Sequence, residues 1–68
     1  MWQPLNESHS RYIHNDRIAG GIYKLNGWWH WYKCKPKKIK EWFVDATYVQ
    51  GGPCATWEQA REELRNAR

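Results

Sequence analysis

β-branched and aromatic residues alternate with polar ones on both sides of the dipeptide Asn26-Gly27. Short runs of this composition are typical of β-strands with one buried face. Asn and Gly both tolerate the positive φ angles that the two-residue turn of a β-hairpin requires. We therefore predict a hairpin of Ile18–Leu25 against Trp28–Lys35, in a register that places Ile22 opposite Trp31.

The pattern changes after Pro36. The lysine-rich stretch KPKK, residues 35–38, is predicted to be a loop, and residues 39–50, IKEWFVDATYVQ, favour a third strand that the following GGP ends. A helix is predicted from Trp57, because Thr56 and Gln59 form a capping-box pattern in front of it. The apolar residues of this helix share one stripe, which consists of Trp57, Ala60, Leu64 and Ala67.

These elements predict an α+β fold, a three-stranded antiparallel β-meander with one C-terminal α-helix packed on one face. Residues 1–16 are polar and without periodicity, so we expect them to form an N-terminal arm. Residues 17–68 are then a single small β-β-β-α domain. A chain of this length buries only ~60% of the surface that its unfolded form exposes, so its stability is expected to be marginal.

Alternation along the strands divides the sheet into two faces. The charge-poor face, which we assign to the core beneath the helix, carries Ala19, Tyr23, Leu25, Trp28, His30, Tyr32 and Cys34. On the other face, Trp29 and Trp31 stand among lysines. Because the predicted fold supplies a single helix, we expect this second face to be open to solvent unless residues 1–16 cover it.

Charge is unevenly distributed along the chain, which carries a formal net charge of +4. Residues 17–40 hold seven of the 11 basic side chains and none of the seven acidic ones. Such a basic block attracts phosphate groups or an acidic protein surface, and it argues against a mimic of DNA.

Aromatic rings beside lysines suit nucleic acid, because the rings stack on bases and the lysines hold phosphates. The sequence therefore predicts a small basic nucleic-acid-binding module for DNA or RNA. Its candidate binding residues are Lys24, Trp29, Trp31, Lys33, Lys35, Lys37, Lys38, Lys40 and Phe43. In outline, three strands and a helix also resemble small sheet-reading DNA-binding domains, such as the arm-binding domains of some phage integrases. The resemblance implies DNA binding, but it assigns no role to any individual residue.

A protein partner is the alternative. The same tryptophans could act as hot spots for a small phage- or plasmid-type protein that inhibits or adapts a host protein, since Trp and Tyr dominate the energetics of many interfaces. A purely structural role is a further alternative: residues 1–16 would cover Trp29 and Trp31, which would then be core residues. The lysines at 35, 37, 38 and 40 would then belong to a solvated loop without a binding role.

Other chemistry has little support in the sequence. His30 and Cys34 are four residues apart on a strand, about 13 Å at ~3.3 Å per residue, so they cannot chelate one metal ion. The chain has neither a phosphate-binding glycine loop nor an evident catalytic constellation, so we expect no cofactor, no small-molecule substrate and no enzyme activity. With no membrane-span-length apolar run or signal peptide, we expect a cytoplasmic protein with Cys34 and Cys54 reduced.

Overall fold

A computed structural model describes residues 1–67 of the chain, apart from the side chains of Ile39, Trp42 and Phe43. Five antiparallel strands form one sheet in the order of the sequence. The strands are β1 (Trp2–Asn6), β2 (His9–His14), β3 (Arg17–Leu25), β4 (Trp28–Ile39) and β5 (Trp42–Cys54), and the helix α1 (Trp57–Asn66) follows them.

The prediction of a three-stranded meander is therefore wrong, because the segment expected to be an arm forms β1 and β2 of the same sheet. A tight turn at Asn15-Asp16 makes this possible. Both residues have positive φ, 53° and 60°, which Asn and Asp tolerate better than other residues with a side chain. Further along, Ser8 donates its backbone N–H to the side-chain oxygen of Asn6, which closes the turn between β1 and β2.

The central hairpin was predicted correctly. Asn26 and Gly27 have φ of 52° and 83°, and β3 pairs with β4 in the predicted register, Ile22 opposite Trp31. Such a turn matches the twist of its strands, and that match sets the register of the residues that flank it.

The KPKK segment is part of β4, not a loop. The turn that follows it lies at Lys40 and Glu41, where Lys40 has a φ of 56°. Pro36 is tolerated because the pairing of β4 with β3 ends at Lys33, so the missing N–H of Pro36 costs no ladder hydrogen bond to β3. The partner strand β5 begins later than predicted and continues through GGP to Cys54.

The helix begins as predicted. Thr56 caps it and accepts the backbone N–H of Gln59 at 3.1 Å, while the side-chain oxygen of Gln59 accepts from Ala55. The predicted stripe faces the sheet, with Ala60 and Leu64 buried and Trp57 and Ala67 packed around them.

The assignment of the two faces was wrong, because α1 packs on the face that carries Trp29 and Trp31. The core consists of Ile22, Trp31, Cys54, Ala60 and Leu64. Of the residues assigned to the core, Leu25 and Trp28 are 53% and 50% exposed. Trp29 and Trp31 bring two large indole rings to this face, and the aliphatic stems of neighbouring lysines can cover the margins of such a core.

Candidate nucleic-acid interface

Trp31, expected to stack on bases, lies beneath the helix and is 7% exposed. Its indole N–H donates to one oxygen of the Glu63 carboxylate at 3.2 Å, and the Cys54 thiol donates to the other at 3.1 Å. These two hydrogen bonds hold the pKa of Glu63 below its ordinary value. The side chain of Trp31 therefore belongs to a polar network between sheet and helix and is not available to a base.

Three further residues of the predicted interface lie around this core. Trp29 is half-buried against the core cluster, and the Lys24 ammonium lies 5.5 Å from the centre of its ring. Lys33 donates from Nζ to the carbonyl of Ala67 at 2.6 Å, just beyond the last turn of α1. A cation is favourable at a helix C-terminus, so Lys33 supports the docked helix.

The remaining lysines occupy the far end of β4 and the turn after it. We call residues 35–46 the distal hairpin, because this part of β4 and β5 continues past the point where β3 stops pairing. It contributes to an elongated outline of 40 × 22 × 20 Å. The lysines there are exposed; they are Lys35, Lys37, Lys38 and Lys40. The side chain of Phe43, the last predicted site residue, lies outside the described residues.

Acidic residues only partly offset this charge. Asp45 accepts from the guanidinium of Arg17 at 3.0 Å and from the backbone N–H of Ile18 at 3.4 Å, so its carboxylate is engaged at the base of the hairpin. Glu41 stands at the turn. Lys35 lies 5.6 Å from the ring of Tyr48, which is 45% exposed, so a cation and an aromatic ring are adjacent beside the hairpin.

Tyr23, His30 and Tyr32, which the sequence analysis placed together in the core, belong instead to a row of rings on the face opposite the helix, and His9 extends that row. His9, Tyr23 and His30 are directly opposite one another on β2, β3 and β4, and the rings of Tyr23 and His30 stack at 5.3 Å. His9 is hydrogen-bonded to the Tyr32 hydroxyl at 2.8 Å. The pairing of β3 with β4 already placed Tyr23 beside His30; His9 was missed because its segment was interpreted as coil.

The two thiols are free, and they lie in different environments. Cys54 is buried, and that burial, together with its hydrogen bond to Glu63, raises the pKa of the thiol to about 11. Cys34 is half-buried on β4, and desolvation raises the pKa of its thiol too.

We expect a thiol reagent at pH 8 to modify Cys34 in the folded protein and Cys54 only after unfolding. The thiolate is the reactive form, and a raised pKa keeps Cys54 protonated until the pH approaches 11. Labelling kinetics with and without denaturant, followed by mass spectrometry, test this expectation. Cys34→Ser should remove the native-state reaction, whereas equal labelling of both thiols in the native state would contradict it.

Within residues 1–67, no three His, Cys, Asp or Glu side chains are grouped closely enough to hold a metal ion. The helix found in that part of the chain has 10 residues, too few to cross a membrane. The expected lack of enzyme activity and the cytoplasmic location stay predictions.

Comparison of the chain with protein-family models, curated proteins and solved structures finds no match. The resemblance to phage-integrase arm-binding domains depended on a three-stranded outline, which the five-stranded sheet replaces. The distal hairpin, the surface that keeps most of the predicted lysines exposed, is therefore the candidate interface.

Proposed function

We propose that this chain is a small nucleic-acid-binding module that uses the distal hairpin as a basic β-ribbon on duplex DNA. The observation that carries the proposal is the extension of β4 and β5 beyond the rest of the sheet with four exposed lysines. A two-stranded ribbon fits the major groove of B-DNA, which is about 12 Å wide.

The placement of the lysines supports contact with phosphates. Consecutive residues of a strand point to opposite faces, so Lys37 and Lys38 lie on the two faces of the ribbon. Lys40 lies in the turn at its tip. A ribbon lying in a groove has a sugar–phosphate backbone on either side, and cations on both faces can contact it. Duplex RNA is a poorer target, because its major groove is too narrow for side chains to enter.

The test is the salt dependence of binding to a short DNA duplex, measured by fluorescence anisotropy. Four phosphate contacts predict a slope of log K against log[salt] of about −3.6. Lys37→Gln should weaken binding to all sequences and reduce the magnitude of the slope by about 1. Lys24→Gln removes the same charge from β3, where Lys24 lies opposite Trp29 and thus about 26 Å along β4 from Lys37 at ~3.3 Å per residue, and should leave the slope unchanged.

Two results would contradict the proposal. One is the absence of binding to duplex DNA at low salt, where the electrostatic attraction is strongest. The other is an equal affinity for duplex RNA, which would show that the ribbon does not use the groove.

A protein partner is the second candidate, and the edge position of β5 favours it. This strand has 13 residues and borders the sheet, and Val44 and Tyr48 are exposed on it. An edge strand of this length can pair with a strand of another protein. Such binding would change little with salt, which distinguishes it from the nucleic-acid proposal.

A further inference from the structure

A cleft of about 460 Å³ opens on the helix side of the sheet, between α1 and the first three strands. This volume is within the range of pockets that hold small molecules, roughly 300–1,000 Å³. Its lining combines apolar, aromatic and basic side chains; they are Trp2, Tyr12, Ala19, Gly20, Lys33, Arg61, Leu64 and Arg65. None of these residues belongs to the distal hairpin.

One wall of the cleft is aromatic and held in place. Trp2 and Tyr12 face one another across β1 and β2, with ring centres 5.4 Å apart. Trp2 also packs edge-on against Trp57 of the helix at 5.3 Å, and Gly20 and Leu64 are buried beside it. Rings fixed in this way offer a flat base a stacking surface without the entropic cost of ordering flexible side chains.

The other wall is cationic. Arg61 and Arg65 are four residues apart on α1 and therefore lie on the same side of the helix. Lys33, held at the Ala67 carbonyl, adds a third positive charge. Among the described residues that line the cleft none is acidic, so the charges focus a positive potential inside it. A guanidinium group can bind a phosphate through two parallel hydrogen bonds.

We infer that this cleft binds a nucleoside 5′-monophosphate, with the base against Trp2 and Tyr12 and the phosphate at Arg61 and Arg65. A ring system joined to a dianion matches both walls at once, which neither an apolar ligand nor inorganic phosphate does. The sequence predicted no small-molecule partner, because the residues of this cleft come from five elements and form no motif. The inference does not depend on the distal hairpin.

The experiment is calorimetric titration of the whole chain at low salt with AMP, adenosine and ribose 5-phosphate. AMP should bind at least about tenfold more tightly than either half-ligand, because each half occupies one wall. The double variant Arg61→Gln/Arg65→Gln should weaken AMP binding by about tenfold or more, since hydrogen bonds to charged groups are the stronger ones.

Arg11→Gln is the matched control, because Arg11 is hydrogen-bonded to Gln3 outside the cleft and AMP binding should survive its loss.

A 5′-phosphorylated tetranucleotide distinguishes a free nucleotide from the end of a strand. If the tetranucleotide binds and AMP does not, and the double variant abolishes binding, the strand end is the occupant. Failure of both probes to bind, or equal losses in the double variant and the control, would overturn the inference. No residue of the distal hairpin lines the cleft, so Lys37→Gln should bind AMP like the wild type. A failure of the hairpin to bind DNA would therefore leave the result of these titrations unchanged.

Discussion

Trp31→Ala is expected to destabilise the fold by about 3–5 kcal/mol, the range for removal of a large buried aromatic side chain. Trp31 is 7% exposed, and its loss would also remove a hydrogen-bond donor from the Glu63 carboxylate. A domain of this size has a total stability of about 5 kcal/mol, so the variant should retain no more than about 2 kcal/mol and be partly unfolded at room temperature. Urea denaturation followed by circular dichroism measures the effect.

Trp28→Ala is the matched control, because it removes the same side chain from the opposite face of β4. Trp28 is 50% exposed, and its loss should cost clearly less, about 1 kcal/mol. If the two variants had equal midpoints, or if Trp31→Ala melted like the wild type, the helix could not be packed on this face of the sheet.

Leu64→Ala is expected to cost about 2–5 kcal/mol, because Leu64 is the buried anchor of the second half of the helix. A methyl group of Leu64 lies 3.4 Å from the position that a Cβ on Gly20 would occupy, so Leu64 packs directly against the backbone of β3. Loss of this contact leaves a cavity that the backbone of β3 cannot fill. The thermal midpoint should fall by more than 8 °C, since 1 kcal/mol shifts Tm by about 4–8 °C in domains of this size.

Glu62→Ala provides the comparison on the exposed side of the same helix. Glu62 accepts a hydrogen bond from Asn66 at 3.3 Å in an exposed position, and such a contact contributes little. We expect its midpoint to stay within a few degrees of the wild type. A wild-type-like midpoint for Leu64→Ala would show instead that α1 is not part of the core.

Local signals predicted the parts of the fold that depend only on residues close together in the sequence. The Asn26-Gly27 turn and the Thr56 cap satisfy backbone conformations and hydrogen bonds within a few residues, so they can be recognised before any tertiary contact is known. The same reasoning applies to Asn15-Asp16, whose two positive φ angles mark a turn that the sequence analysis did not recognise. Recognition of that turn would have indicated β2.

The candidate site was only partly predictable. The lysines of the distal hairpin are exposed as expected, whereas Lys33 is bound to the end of the helix and Lys24 lies over Trp29. Lysine was interpreted as evidence of a solvated face. It is weak evidence, because its long aliphatic stem can cover a core while the ammonium reaches water or a carbonyl.

The sequence by itself determined the turn that joins β3 to β4, the register of the central hairpin, the start of the helix and its apolar stripe. Only the tertiary structure decided which face of the sheet the helix covers. Alternation along a strand specifies two sets of side chains but not which set is buried, and both sets here contain tryptophan. The choice depends on the total area that packing removes from water and on partners such as Glu63, which lies 32 residues from Trp31 in the chain.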